Sequence, residues 1–255
     1  MLSIKALNRY LAFGIHLAIS ASLALSLSAV VFLLWYPGLY AYASNVTNIF
    51  LLLMLVDVVM GPVITLIIYN PQKKELKRDL SIVGLMQVLA LLYGLHTVFI
   101  VRPVYLVFNA GQFDLTYAHE ISEKNREKAA LAEYRSLPYF GPRLVAVKLP
   151  EDERELMGLI MSSVSGGPDV KTLPQYFVPY KNLSGGVLSA IQPLDKLKPL
   201  NRDRLQQLDE MEKKYQAAGI AVGYLPLKAR YHNLTVIVNR SSADILEVSE
   251  LKPWP

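Results

Sequence analysis

Residues 47–69 read TNIFLLLMLVDVVMGPVITLIIY. The stretch is long enough to cross a bilayer, because a helix rises about 1.5 Å per residue and the hydrocarbon core takes about 20 residues. It nevertheless holds a carboxylate, Asp57, near its middle and a helix-breaking pair, Gly61-Pro62, one turn later. Both features are costly in a membrane helix, so each calls for a structural or a binding explanation.

Two further apolar runs flank this stretch, at residues 11–35 and 81–101, and the three together predict three transmembrane helices. Residues 1–101 carry three acidic and six basic side chains, whereas residues 102–255 carry the other 18 and 20. The sequence therefore predicts a three-helix membrane domain over residues 1–101, followed by a domain of ordinary charge content over residues 102–255.

Basic residues predict how the spans are oriented. Lys5 and Arg9 precede the first span, and the loop 36–46 carries no charge. Asn70-Pro71 ends the second span, and four basic residues follow it: Lys73, Lys74, Lys77 and Arg78. Because cytoplasmic loops are enriched in Lys and Arg, we expect the N-terminus and the loop 70–80 in the cytoplasm. Residues 102–255 then lie on the far side, which is the periplasm in a Gram-negative bacterium.

The N-terminus also fits a second pattern. Basic residues, an apolar run and the tripeptide AYA at 41–43 together resemble a cleavable signal peptide. The apolar run is about twice the usual length of a secretory signal, which favours a retained span. Cleavage would remove the first span without changing the orientation of the others.

Asp57 has two interpretations. Helix geometry places Gln87 and Tyr93 within about 5 Å of its depth, so Asp57 could hydrogen-bond to them or to a span-one serine and hold the helices together. Alternatively, Asp57 faces a groove and meets a polar group on a partner's transmembrane helix. Gly61-Pro62 predict a kink near residues 58–62, which either has no specific function or opens a cleft beside Asp57. The candidate partner-binding residues are Asp57, Gly61, Pro62, Gln87 and Tyr93.

The C-terminal domain is predicted to be α+β with mostly antiparallel pairing. Arg102-Pro103 opens it, and residues 104–108 and 113–117 form a hairpin around NAG at 109–111. Composition and capping signals give the remaining elements. The predicted helices lie near 121–135, from 150 to 164, within 165–200 and over 201–217, and the predicted strands at 143–148, 220–230, 233–239 and 243–251.

The sequence carries no catalytic motif. It has no cysteine, which excludes disulfides and thiolate chemistry, and it lacks a zinc-peptidase helix, a nucleophile elbow and a phosphate loop. His119 and His232 are isolated in sequence. We therefore expect a non-catalytic protein without a metal or cofactor. The net charge of +5 does not indicate nucleic-acid binding, because part of the positive excess flanks the membrane spans.

Several of these motifs together resemble the TfpX/TfpZ family of type IV pilin accessory proteins. They are the D-x-x-x-G-P pattern at 57–62, RPV at 102–104 and FDLTYAHEI at 113–121, and the resemblance covers about residues 10–121. It implies a bacterial inner-membrane protein that helps its cognate pilin to accumulate or assemble. The implied partners are the major type IV pilin subunit, membrane lipid and the pilus assembly machinery. A membrane-anchored sensor of a small ligand is the main alternative, although few residues remain in the cytoplasm to transmit a signal.

Overall fold

The computed structural model describes residues 8–254 and divides them into two compact units. The first comprises the described residues up to Leu34 together with Asn45–Val101. The second comprises Trp35–Ser44 together with the residues from Arg102 onward. The predicted fold class, three apolar helices followed by an α+β domain, is confirmed.

Within residues 8–254, three helices are long and apolar enough to span a membrane: Arg9–Trp35, Val46–Ile68 and Leu76–Ile100. We call them spans 1, 2 and 3. Their segments and the short helix between spans 1 and 2 are, in chain order, α1 (Arg9–Ala29), α2 (Tyr40–Ala43), α3 (Val46–Met54), α4 (Gly61–Ile68) and α5 (Leu76–Ile100), with π-helical turns at Val30–Trp35 and Leu55–Met60.

Span 2 is the central helix of the first unit, since spans 1 and 3 each pack against it. Two glycines permit close approach to span 3. A Cβ atom at Gly94 would lie 2.4 Å from a methyl carbon of Leu53, and one at Gly61 would collide with Gln87. The π-helical turn Leu55–Met60 falls where the sequence predicts a kink. Pro62 has no N–H to donate and its ring crowds the preceding turn, which is a known cause of such an irregularity.

The second unit is built on one mixed sheet of seven strands in the order β4-β3-β1-β2-β5-β6-β7. The β1–β3 and β2–β5 pairs are parallel, and the other pairs are antiparallel. The strands are β1 (Pro103–Asn109), β2 (Gln112–Tyr117), β3 (Arg143–Val147), β4 (Phe177–Pro179), β5 (Val222–Lys228), β6 (Leu234–Asn239) and β7 (Ile245–Ser249).

Both faces of this sheet are covered, because alternate residues of each strand enter different cores. Leu106 and Phe108 of β1 lie in one core, whereas Tyr105 and Val107 lie in another on the opposite face. A third core forms around the longest helix of this unit. The helices are α6 (Glu123–Glu127), α7 (Glu153–Val164), α8 (Ser184–Ala190) and α9 (Leu205–Ala217). The 3-10 helices are Ala118–Glu120, Ala132–Tyr134, Val170–Thr172, Pro174–Tyr176, Tyr180–Leu183, Leu194–Leu200 and Arg202–Arg204.

Residues 35–44, predicted within the membrane domain, pack into the core of the C-terminal unit. We call them the inserted segment. Ala43 is fully buried there, and its carbonyl oxygen accepts hydrogen bonds from the backbone N–H groups of Tyr231 and His232, both at 3.3 Å. The ring of Tyr42 stacks on His232 with centroids 4.2 Å apart. The inserted segment is thus part of the second unit and contributes to its core.

This packing bears on the signal-peptide alternative. The small residues of its AYA pattern, Ala41 and Ala43, are buried in the C-terminal unit. Cleavage after Ala43 would divide the core between two chains. The structure therefore favours a retained span 1.

The predicted helix at 121–135 is wrong in extent, since only α6 (Glu123–Glu127) forms, followed by a 3-10 turn at Ala132–Tyr134. Ser122 caps α6 as its side chain accepts a bond from the Asn125 N–H. The helix then ends because Tyr134 is drawn into the core, edge-on to Tyr105. Tertiary packing overrides local propensity here.

Candidate functional site

A groove of about 160 Å³ lies within the first unit. Spans 1 and 3 form its walls and span 2 forms its floor. From span 1 it is lined by His16, Ile19, Ser20, Leu23, Ala24 and Leu27; from span 2 by Met54 and Asp57; and from span 3 by Gly84, Gln87, Val88 and Leu91. Most of the lining is apolar, so Asp57 is the one acidic group among these residues.

Asp57 is buried, with 7% of its surface exposed, and its Oδ2 atom has no hydrogen-bond partner among residues 8–254. Its backbone carbonyl is engaged, since the Gln87 side-chain amide donates to it at 3.4 Å. A carboxyl group in an apolar site loses its hydration, and this loss is costly unless another polar group replaces the water. The described residues thus leave this buried oxygen without the hydrogen bond that would offset its lost hydration.

Several other polar side chains of span 1 have hydrogen-bond partners. His16 Nδ1 lies 2.7 Å from Thr65 Oγ1, which links spans 1 and 2. Ser22 and Ser26, on the exposed side of span 1, donate to the carbonyls one turn earlier. The predicted hydrogen bond between Asp57 and a span-one serine is not observed among the described residues.

Tyr93 is not brought together with Asp57. It is 75% exposed and does not line the groove. Depth along a helix, on which the grouping of Tyr93 with Asp57 rests, does not define the direction in which a side chain points around that helix. Gln87, another of the candidates, does contact Asp57, because its side-chain amide donates to the Asp57 backbone carbonyl.

Gly61 and Pro62 are both buried between helices. A Cβ atom at Gly61 would come within 1.8 Å of the Gln87 amide nitrogen, so a larger residue there would displace the end of the Gln87 side chain. Pro62 follows the π-helical turn that contains Asp57. These two residues therefore shape the floor of the groove rather than line it.

The residues predicted to fix topology lie at the ends of the spans. Asn70 accepts a bond from the Gln72 N–H through its side chain and stops span 2, with Pro71 next in the turn. In the basic loop, Lys73 pairs with Asp79 and Arg78 with Glu75, while Lys74 and Lys77 are exposed. Of the two basic residues predicted before span 1, Arg9 is the first residue of α1 and Lys5 lies outside the described residues.

Arg102 and Pro103 open the C-terminal unit. Arg102 is buried and donates from Nη2 to the Pro138 carbonyl at 2.9 Å. Burial lowers its pKa below the ordinary arginine value, and Tyr36 of the inserted segment lies close enough to interact with it electrostatically. Pro103 begins β1, opposite Tyr117. Arg102 therefore connects the start of the domain with the inserted segment, whereas Pro103 pairs within the sheet.

Among residues 8–254, no group of three or more His, Cys, Asp or Glu side chains is arranged to hold a metal ion. His119 lies 2.9 Å from the Arg230 guanidinium, and His232 stacks on Tyr42. Both histidines therefore have structural contacts.

Sequence comparison with known proteins shows the family to which the chain belongs. The model of the fimbrial assembly protein FimB matches residues 5–44. The chain is 32% identical over 183 residues to the fimbrial assembly protein of serogroup E1 from Dichelobacter nodosus, covering 71% of this chain and 70% of the relative. The chain belongs to the FimB family. It is also 31% identical over 183 residues to the serogroup I protein of that organism, again covering 71% and 70% of the two chains.

A third FimB-type relative, the fimbrial assembly protein of serogroups C1 and C2 from Dichelobacter nodosus, is 37% identical over 97 residues, which cover 37% of this chain and 74% of the relative. No solved structure matches the chain. The FimB match at 5–44 contains the whole of span 1 and the whole inserted segment. The inserted segment is therefore part of the sequence region by which the family is recognised.

Proposed function

We propose that this FimB-family protein is a non-catalytic accessory protein of the bacterial inner membrane that serves type IV pilus assembly. It binds the cognate major pilin and promotes its stability or its incorporation into pili, as the TfpX/TfpZ resemblance implies. The names of its relatives, fimbrial assembly proteins, support a role in assembly.

The observation that carries the proposal is the buried carboxyl of Asp57, which faces a groove without a hydrogen-bond partner among the described residues. Polar groups inside a membrane are costly and are usually functional. A type IV pilin subunit waits in the membrane as an apolar helix that carries a polar group, with a head domain outside. A groove with Asp57 at its floor offers such a helix a matching contact.

The proposed orientation places the N-terminus in the cytoplasm and the C-terminal domain in the periplasm. The basic loop 70–80 supports this through the bias of Lys and Arg toward the cytoplasm. The inserted segment adds support, because residues 35–44 and the residues after span 3 share one core and so must lie on the same side of the membrane. A pilin head domain on that side would be within reach of the same unit.

The test is a clean deletion strain in which surface pili and total membrane pilin are both measured. Loss of pili together with depleted pilin indicates protection of the subunit, whereas loss of pili with normal pilin indicates a role in assembly. Unchanged pili and pilin would overturn the proposal and favour the sensor alternative.

Complementation then tests Asp57. Asp57→Leu removes every hydrogen-bonding atom, whereas Asp57→Asn keeps an acceptor oxygen. We expect Asp57→Leu to fail and Asp57→Asn to restore pili at least in part. The matched control is Ser26→Leu, which replaces a polar residue on the exposed side of span 1. If both Asp57 variants restored wild-type piliation, the proposed contact between Asp57 and the pilin helix would be contradicted.

A further inference from the structure

We infer that the groove receives a single transmembrane helix of the pilin, seated between spans 1 and 3, with a hydrogen-bond donor facing Asp57. This inference rests on the proposed function and specifies how its intramembrane contact is made.

The arrangement of the three spans supports a missing fourth helix. Spans 1 and 3 both pack on span 2, and the groove between them is lined almost entirely by these two spans. Its wall residues on span 1 recur from His16 to Leu27 with the spacing of one helix face, and those on span 3 do so from Gly84 to Leu91. The groove therefore runs along the helices for about two to three turns, as a docked helix requires.

Small side chains make the walls suitable for a helix backbone. Ser20 and Ala24 lie one turn apart on span 1, and Gly84 faces them from span 3. A Cβ atom built at Gly84 would have no neighbour within 4 Å, so the groove is open at that point. Small residues at such positions allow transmembrane helices to approach closely and pack by van der Waals contact.

The Asp57 carboxyl at the floor of the groove favours a helix over a lipid acyl chain as the occupant. A carboxyl oxygen accepts a hydrogen bond in either protonation state, so a hydroxyl, an amide or an amine of the occupant could bond to the Asp57 carboxyl, which lines the groove. An acyl chain fills apolar volume but offers no donor. A helix with small residues on one face and a donor at mid-membrane depth matches both the walls and the floor.

Gly84→Leu tests the inference by filling the groove. Leucine also has a higher helix propensity than glycine, and the site is open, so the fold should be preserved. The matched control is Gly14→Leu, where glycine lies on the exposed side of span 1 and a Cβ also meets nothing within 4 Å. We expect Gly84→Leu to lower piliation at least tenfold at normal protein level, and Gly14→Leu to leave it unchanged. Val88→Phe, which fills the groove from the next turn of span 3, replaces Gly84→Leu if that variant accumulates poorly.

Contact is measured by cysteine crosslinking, which is clean because the chain has no cysteine of its own. Ala24→Cys places a thiol in the groove, and Leu25→Cys places one on the exposed side of the same helix. Each is paired with a pilin that carries one cysteine in its transmembrane helix. We expect Ala24→Cys alone to crosslink to pilin, and Gly84→Leu to abolish that crosslink.

Two results would overturn the inference: full piliation with an undiminished crosslink in Gly84→Leu, or a crosslink of Ala24→Cys to a second copy of this chain in place of pilin. In either case, a deletion strain that still loses its pili would leave the proposed function standing. A deletion strain with normal pili would remove the proposed function itself, so the two failures are distinguishable.

Discussion

Gln87 of span 3 lies directly across Gly61 of span 2, with its amide nitrogen 1.8 Å from the place where a Cβ atom at residue 61 would stand. From there the amide donates to the backbone carbonyl of Asp57 at 3.4 Å. One glycine thus permits the contact that joins spans 2 and 3 beside the acidic residue. Gly61 is therefore important for the shape of the bundle, independently of any partner.

Gly61→Ala should destabilise the first unit. The methyl group must displace the end of the Gln87 side chain and break its hydrogen bond to the Asp57 carbonyl, and the loss of one such bond costs about 0.5–1.5 kcal/mol. Thermal unfolding of the purified protein in detergent, followed by circular dichroism, measures the effect. Gly84→Ala is the control, because a Cβ there meets nothing within 4 Å. Equal melting temperatures for the two variants would contradict the prediction.

The stacked pair Tyr42 and His232 should contribute to the stability of the C-terminal unit. Aromatic pairs contribute about 0.5–1.5 kcal/mol beyond the area that they bury. Tyr42→Ala, His232→Ala and the double variant form a cycle whose coupling free energy, measured by denaturant unfolding, should fall in that range. A coupling energy near zero would mean that the inserted segment is held by its other contacts alone.

Ala43→Leu should be strongly destabilising. Ala43 is fully buried in the core, and its carbonyl holds the backbone of Tyr231 and His232. Added volume there forces a shift worth about 1–3 kcal/mol. Ala132→Leu, on the exposed surface of the same unit, serves as the control and should change stability by less than about 0.5 kcal/mol. Urea unfolding monitored by tyrosine fluorescence distinguishes them, and a tolerated Ala43→Leu would show that this contact is loose.

Asp114 on β2 should make stability depend on pH. Burial raises the pKa of its carboxyl, although Lys171 and a bond from Gln112 act in the opposite direction. Because the folded-state pKa lies above the unfolded one, the charged form is disfavoured on folding. Stability is then highest below the ordinary aspartate pKa of about 4 and falls as pH rises through the raised value.

Asp114→Asn should therefore melt higher than the wild type at about pH 7 and close to it near pH 4. Asn keeps the acceptor for Gln112, so the comparison isolates the charge. The exposed residue Asp209 provides the control, since Asp209→Asn should have little effect at either pH. A wild type that melts higher than Asp114→Asn at neutral pH would reverse the assignment.

Much of the fold could be predicted from sequence because its signals are local. The three spans follow from the length of apolar runs, and the hairpin of β1 and β2 follows from alternation around Asn109-Ala110-Gly111. The strands at the C-terminus also lie where composition places them. Local signals fail where a distant contact decides the conformation, as when burial of Tyr134 shortens the helix that begins at Glu123.

The candidate site was predictable in part for the same reason. The acidic residue in span 2 is visible in sequence, and so is the Gly61-Pro62 pair that shapes its surroundings. The sequence does not show how each helix is rotated about its axis. For this reason the sequence-based candidates include Tyr93, which does not line the groove, and omit Gly84, which does. Nor could the sequence show that residues 35–44 join the C-terminal core. The only signal was an uncharged loop rich in tyrosine, which equally fits a membrane interface.

The inserted segment also constrains the biogenesis of this protein. Residues 35–44 are synthesised before spans 2 and 3, yet they complete a core whose last strand, β7, ends at Ser249. The C-terminal domain cannot finish folding until spans 2 and 3 and about 150 further residues have been synthesised. A chain with a misplaced span would expose an incomplete apolar core, the kind of surface that proteases recognise. Correct membrane insertion is thereby a condition for a stable domain outside the membrane.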